Sequence, residues 1–586
     1  MKNRKLIFVL QIVLIASLFL SACGAPATAP AATEAPVAAP AATEAPAAAP
    51  AATEAPTAVV PAKLVVLNLS TIMNALTSNF NPFNNNPNIP TLNGIYEPMM
   101  IFNTMKAEMV PWLADSYAWS ADIKTLTFKL HEGIKWSDGE PFTAKDVAYT
   151  FNLLKNTQGL NGSGLRAMSG PVDTVSAADD LTVVFTLKVV NTEVLYDIIA
   201  QNIVPEHVWK NIADPTKDTN DKPVGTGPFT EVTEMQPQAY QVNKNPNYWQ
   251  KGLPSFDAVR VTAYSGNEAQ IAAFIDNQLD WAGTVLPNVD DAVIAHNANV
   301  SYIFPPSTQT VQLNLNTTIK PFDDPIIRKA MSMALNRDQM NQVAFNGKAE
   351  LPDVTGLSNA YSTWKVADPS TLGDWTTYNA EKAAKMLEDA GYKLGKDGFR
   401  TNKDGSPMLF KLTMVQGFTD WISAGEIMIQ NWKDIGVNVE TDMIDGGAFF
   451  GKIPMGDFQM ALWFGYNAPS PYTQYMNMMS TQTVAPPGQF SMMNFAKYGN
   501  KDADALLAEF AGTTDQEAKK QAMYKLEALF AQEAPSIPLW VGSDWAIFNN
   551  THFTGWPTKE NDYSQAFPNG NNTPEWLIVM LTITPK

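Results

Sequence analysis

Residues 125–154 open with Thr125-Leu126-Thr127-Phe128-Lys129-Leu130 and continue through His131-Glu132-Gly133-Ile134-Lys135-Trp136-Ser137-Asp138-Gly139 to Thr143-Ala144-Lys145-Asp146-Val147. The first six residues alternate polar and apolar, the period of a half-buried strand. Gly133 and the Asp138-Gly139 pair mark turns. Thr143 with Asp146 three residues on forms a capping-box start, and Val147, Phe151 and Leu154 follow at helical spacing. A strand, a turn and a capped helix within thirty residues predict a mixed α/β chain.

The pattern extends in both directions. Lys63–Leu69 and Leu181–Leu187 read as strands, and an Asn- and Pro-rich loop spans Asn79–Pro90. Asp324-Pro325 opens a helix with Asp as cap and Pro in the first turn, and Ile327, Ala330, Met331, Ala334 and Leu335 form its apolar stripe. Further helices are expected over 380–390, ending at Gly391, and over 423–435, ending at Gly436. A hairpin is expected around Lys403-Asp404-Gly405, and Val437 and Val439 begin another strand.

Composition bounds the function. The 586 residues suggest two to four folded units, and 45% hydrophobic content supplies large cores. The net charge of −18 repels phosphate backbones, which excludes nucleic acid as a partner. One Cys and four scattered His (131, 207, 296 and 552) make neither a zinc site nor an internal disulfide, and no metal or cofactor is expected. No G-x-S-x-G elbow, phosphate loop or zincin motif occurs, so an enzyme is not expected. A secreted glycoside hydrolase is the distant alternative, resting only on the abundance of carboxylates.

Residues 1–22 read as an export signal. Lys2, Arg4 and Lys5 precede an apolar run from Leu6 to Leu20, too short to span a bilayer as a helix. Removing those three cations takes the net charge from −18 to −21. From Cys23 to residue 61 the chain is a tether. Pro-Ala-Ala-Thr-Glu-Ala-Pro recurs at 30–36, 40–46 and 50–56, with no large apolar side chain to bury.

Leu20-Ser21-Ala22-Cys23 resembles the bacterial lipobox, which implies lipidation at Cys23 and a body anchored to the membrane, facing the periplasm or cell exterior. Met109-Val110-Pro111-Trp112-Leu113, the tract from Leu126 to Val147, Val224-Gly225-Thr226-Gly227-Pro228-Phe229, the run from Ile327 to Arg337, Ile435-Gly436-Val437-Asn438-Val439 and Ala534-Pro535-Ser536-Ile537-Pro538-Leu539-Trp540 together resemble the family 5 extracellular solute-binding proteins, receptors of ABC importers. The resemblance implies a two-lobed, periplasmic-binding-protein-like α/β fold of class II type. Lobe I would comprise 62–108, 225–312 and 535–586, with an inserted subdomain at 109–224, and lobe II would comprise 313–534. Hinge strands would lie near Gln312–Asn316 and Ala534–Trp540. The expected partners are a small-molecule ligand and the permease subunits, and the receptor itself is expected to be a monomer. Gly225-Thr226-Gly227 reads as a tight structural turn rather than a phosphate loop, since Pro228 lacks an N–H.

In peptide-binding members an Asp near the Trp463 tract holds the ligand's amino group. Here Trp463-Phe464-Gly465-Tyr466-Asn467-Ala468-Pro469-Ser470-Pro471-Tyr472 offers no acid, and Tyr466 or a gap stands in its place. Aromatic and amide side chains suit neutral sugars, whose C–H faces stack on rings and whose hydroxyls need paired donors and acceptors. Phe418-Thr419-Asp420-Trp421 and Pro469-Ser470-Pro471-Tyr472 are similar to strings of the cello-oligosaccharide-binding branch. The expected ligand is an oligosaccharide, cello-type favoured, with an oligopeptide as alternative. The candidate contacts are Asn79, Phe80, Trp281, Asp420, Trp421, Trp463, Tyr466, Asn467 and Tyr472.

Overall fold

In chain order the principal strands are β1 (Val66–Ile72), β2 (Ala114–Trp119), β3 (Thr125–Leu130), β4 (Val172–Asp179), β5 (Thr182–Leu187), β6 (Phe229–Met235), β7 (Ala239–Lys244) and β8 (Ala258–Tyr264). They continue with β9 (Trp281–Ala282), β10 (Val300–Ile303), β11 (Thr310–Leu315), β12 (Leu409–Val415), β13 (Asn438–Ile444), β14 (Met460–Trp463), β15 (Ile537–Val541) and β16 (Ala546–Asn549). The computed structural model describes residues 63–72, 75–283, 286, 288–305, 307–491, 493–542, 545–568 and 574–586. The export signal, Cys23 and the tether lie outside the described residues.

The decisive tract folds as its pattern dictates. β3 buries Leu126, Phe128 and Leu130 on one face. α1 (Ala144–Asn156) starts on a complete capping box in which the Thr143 amide donates to Asp146 at 2.9 Å. β3 pairs with β2 and β5, and β4 completes an antiparallel four-stranded sheet. A mixed seven-stranded sheet runs β10-β16-β9-β1-β8-β7-β6, and a five-stranded sheet runs β13-β12-β14-β11-β15.

Three cores separate two bodies. One core joins the four-stranded sheet to one face of the seven-stranded sheet, with Leu126, Phe128 and Val183 in the same cluster as Leu67, Val261 and Phe548. A second covers the other face through Phe274, Leu286, Trp545 and Ile547. The third is built wholly from residues 311–540 around the five-stranded sheet. The chain passes between these bodies twice, from Ile303 to Thr310 and from Val541 to Ala546. A cooperative core moves as a unit, so two cores joined by two short crossings make a hinged pair of bodies.

β11 and β15 pair antiparallel inside the five-stranded sheet. The expected boundaries at 312/313 and 534/535 therefore cut into or precede strands that belong to one sheet. The passages from sheet to sheet fall after Ile303 and before Thr310, and after Val541 and before Ala546, the residues at which the hydrogen-bond ladders end. The helix expected over 423–435 begins four residues earlier, as α6 (Thr419–Asp434): Ser423 does not cap it but lies inside it, its hydroxyl donating to Thr419 O at 2.8 Å.

Several of the sequence strings have structural causes. A Cβ at Gly225 would lie 1.9 Å from Ile95 O, and one at Gly227 would lie 2.1 Å from Gly94 O, so the Gly-Thr-Gly run exists for close backbone approach. In α4 (Pro325–Met333), buried Arg328 donates to Ala534 O and Phe322 O, both at 2.7 Å, and also to Glu533 O. Arg337, at the start of α5 (Arg337–Phe345), donates to Pro538 O at 2.9 Å and to Thr376 O at 2.9 Å. Both guanidinium groups neutralise carbonyl dipoles where β15 begins, and burial pushes both pKa values down. Trp112 is held by fully buried Glu97, which accepts from Trp112 Nε1 at 2.8 Å, Tyr248 OH at 3.0 Å and Trp249 Nε1 at 3.1 Å.

Candidate functional site

β12 runs parallel to β13 and to β14, so their carboxyl ends share one edge. At that edge β11 begins, with Gln312 opposite Trp463, and β15 ends, with Val541 opposite Thr310. The seven-stranded sheet presents the matching edge. Ile72 pairs with Tyr264, Ala282 with Ile547, and Ile303 with Ala546. Both crossings therefore leave from the carboxyl-end edges of the parallel strands. In open α/β sheets this is where ligands are held, because the loops are free to vary while the ladders fix their roots.

Each loop of the five-stranded edge delivers side chains onto a helix start. After β12, Gly417 takes φ +92 and turns the chain into α6. After β13, Asp445 caps α7 (Gly446–Met455) by accepting from Ala448 N at 3.0 Å. After β14, Ser470 caps α8 (Pro471–Met479).

Aromatic rings fill this edge. Trp421 lies 4.7 Å from Phe464 and meets Phe418 edge-on at 5.5 Å. Trp463 stacks on Phe449 at 5.5 Å and 13°, with Phe495 at 4.3 Å. Phe450 lies parallel to Phe464 at 6.5 Å and is 46% exposed, the most open ring of the group. Trp421 is buried, and Trp463 and Phe464 are half-buried.

Polar groups complete it. Asn467 Oδ1 accepts from the Thr308 hydroxyl, and Gln309 Nε2 donates to Gly465 O at 3.2 Å, tying the loop after β14 to the first crossing. The Tyr466 hydroxyl accepts from Asn494 N at 3.2 Å, and burial raises its pKa. Asp420 is half-buried in the first turn of α6. Desolvation raises its carboxyl pKa, against the backbone amides of Trp421 and of its own residue. A Cβ at Gly465 would fall 2.3 Å from Thr310 O, so only glycine lets the loop approach the crossing strand.

Charge at the edge is one-sided. No Lys or Arg occurs in residues 416–426, 443–451 or 463–478, nor in 72–97, 282–290, 304–309 or 542–546 of the facing segments. The loops themselves carry the acids Asp420 and Asp445, and the cation beside the first crossing, Lys348, is paired with Asp290 at 2.6 Å and lies 5.7 Å from the Phe304 ring. Such an edge can stack rings on a ligand and offer it amide and carboxylate acceptors, and its own loops supply no cation to an anion.

The sequence-selected residues divide accordingly. Asp420, Trp421, Trp463, Tyr466 and Asn467 share the edge. Phe80 and Trp281 are corrections: both are fully buried, Phe80 against Tyr240 at 5.6 Å and Trp281 between Trp556 and Trp576, with its indole N–H donating to Ala566 O at 2.8 Å. Neither has surface to offer. Asn79 spends its amide on Asn85 O and Asn86 O at 3.2 and 3.3 Å, shaping its own loop. Tyr472 stacks on Phe510 at 5.7 Å, and its phenol is pushed up to about 12 by burial first and by the Glu193 charge. It therefore packs on its own body's core, with the Glu193 charge of the other body nearby, rather than in the ring cluster of the edge. Phe418, Phe450 and Phe464 were missed. Phe418 heads the string that runs to Trp421, whereas Phe450 and Phe464 carry no signal beyond adjacency to Phe449 and Trp463.

Among the described residues no group of three His, Cys, Asp or Glu could hold a metal ion, and no helix is long and apolar enough to cross a membrane.

Residues 108–486 match the model of the bacterial extracellular solute-binding proteins, family 5 (middle region). The glutathione-binding protein GsiB of Pectobacterium atrosepticum is 29% identical over 433 residues, 71% of this chain and 77% of that protein. The periplasmic oligopeptide-binding protein of an ABC transporter from Thermotoga maritima, solved with mannohexaose bound, superposes with a TM-score of 0.79 at 24% identity, covering 89% of this chain and 99% of that one. The oligopeptide-binding protein AppA from Bacillus subtilis, solved with a nonapeptide, gives 0.72 at 20% identity over 86% of this chain and 98% of that one.

Proposed function

The chain belongs to the bacterial extracellular solute-binding proteins of family 5, and from that premise we propose that it captures an oligosaccharide, cello-type in preference, between its two bodies and hands it to an ABC permease. The observation that carries the ligand class is the cation-free aromatic edge at the carboxyl ends of β12, β13 and β14. A sugar ring offers C–H faces to Phe450 and Phe464, and its hydroxyls find acceptors in Asp420 and donors and acceptors in Asn467 and Tyr466. A free peptide carboxylate would be desolvated there without a partner.

The lobes in this reading are residues 63–303 with 546–586, and 310–541, and closure turns about the two crossings. Cys23, acylated, holds the receptor at the outer face of the membrane through the 39-residue Ala/Pro/Thr/Glu tether, residues 23–61. The family relationship fits such an exported receptor.

An oligopeptide is the second reading, favoured by the names of the glutathione-binding relative and of AppA, with Asp420 then receiving the ligand's amino group. Calorimetric titration of the full chain with cellopentaose, mannohexaose, glutathione and a neutral tripeptide separates the two. Saturable heat with a sugar and none with glutathione is expected. Binding of glutathione alone overturns the sugar reading and leaves the receptor reading standing.

A further inference from the structure

The two bodies also touch outside the two crossings. In the segment leaving β5, Thr192 N–H donates to Ala511 O at 2.8 Å, and its hydroxyl donates to Ala511 O at 3.2 Å and Thr513 O at 3.1 Å. These carbonyls close α9 (Lys501–Ala511) and the turn after it. The next residue, Glu193, places Oε1 2.5 Å from Nζ of Lys519 in α10 (Gln516–Glu533), with the two side chains 6% and 9% exposed. The Lys519 ammonium also sits 4.9 Å from the Phe510 ring centroid. Glu193 Oε2 has no hydrogen-bond partner.

Val194, Leu195 and the strands of the four-stranded sheet belong to the core of the seven-stranded body. Phe510, Ala522 and Met523 belong to the core of the five-stranded body. The Thr192–Glu193 contact thus joins parts with no core in common, and 326 residues separate its two charges. Tyr472 stacks on the same Phe510, so the contact lies beside α8, the helix that starts at the aromatic edge.

We propose that Glu193 and Lys519, with Thr192 beside them, form a latch that holds the two bodies closed over the aromatic edge. The proposal rests on the two-body receptor reading and adds what keeps the closed form populated. When the bodies part about the crossings, both ions regain water, so nothing is lost there by removing either one. In the closed form each is buried and needs the other; removing one leaves a desolvated charge and shifts the balance towards opening. The closed fraction multiplies the intrinsic affinity, so a weaker latch lowers apparent affinity without touching a ligand contact.

Hydrogen exchange of the full chain without ligand tests this directly, because the Thr192 amide bonds across the contact. In Lys519→Met and in Glu193→Gln, exchange of 188–193 is expected to rise by at least about tenfold, while peptides from β3, β5 and β12 keep their rates. Wild-type rates at 188–193 in both variants overturn the latch. If either variant also loosens the sheet peptides, the charge swap Glu193→Lys with Lys519→Glu decides. Restored protection of 188–193 supports the latch, and its absence overturns it. The receptor reading fails separately, if no solute alters exchange at the aromatic edge.

Discussion

Glu527 in α10 is fully buried, accepts from Val366 N at 2.9 Å through Oε2, and leaves Oε1 without a partner. Desolvation lifts its pKa to about 7, with Asp353 adding to the rise and Lys365 opposing it. A raised acid favours the folded state only while protonated. Its contribution is therefore complete below the ordinary value near 4.5 and is lost as pH climbs through about 7. The gap, at about 1.4 kcal/mol per pH unit, makes the folded state about 3 kcal/mol less stable at pH 8 than it would be with the group protonated. Glu527→Gln removes this titration while keeping an oxygen for the Val366 amide. Urea unfolding of both proteins at pH 4.5 and pH 8, followed by the fluorescence of Trp375 and Trp432 in the same core, measures the effect. The stability of the variant relative to the parent is expected to improve by about 3 kcal/mol between the two pH values. An identical difference at both pH values refutes the argument, because it means that Glu527 ionises in the fold as easily as in the unfolded chain.

Other consequences are equally open to measurement. Phe450→Ala should weaken sugar binding about tenfold, the worth of one stacking contact, with little change in melting temperature because the ring is 46% exposed; calorimetry reads the first and thermal unfolding the second. Arg328→Met strips the carbonyls of Phe322, Glu533 and Ala534 of their donor and should cost about 3 kcal/mol in urea unfolding. Glu97→Ala leaves two indole N–H groups and the Tyr248 hydroxyl without their acceptor and should cost about 3 kcal/mol, with Glu97→Gln recovering part. Cys23→Ala should move the protein from the membrane to the soluble fraction, read by fractionation and immunoblotting.

Local chemistry made much of this fold legible. The alternation over Thr125–Leu130, the Thr143/Asp146 box and the Asp324-Pro325 start are short-range devices, and each stands in the structure where the pattern put it. The crossings were less legible. β11 is buried at every position and β15 likewise, so nothing in their hydrophobicity says which sheet they join; only the ladder between them does. At the site, Asp420, Trp421, Trp463, Tyr466 and Asn467 stand out through the resemblance of their strings and their aromatic, amide and acid chemistry, and the strands they follow bring all five to one edge. Phe80 and Trp281 misled because a resemblance places a segment near a cleft without saying which way a ring turns. Phe449 and Phe450 are identical neighbours in the sequence, and only their places on α7 make one buried and the other exposed. Glu193 and Lys519 carry no local signal at all.

The proposed function requires that solute is held at the carboxyl ends of β12, β13 and β14. Hydrogen exchange of the full chain with and without saturating cellopentaose measures it most directly. Slowed exchange is expected in 416–421, 446–451 and 463–467, together with the segments beside the crossings. Tight sugar binding that leaves those three segments unchanged and protects others contradicts it.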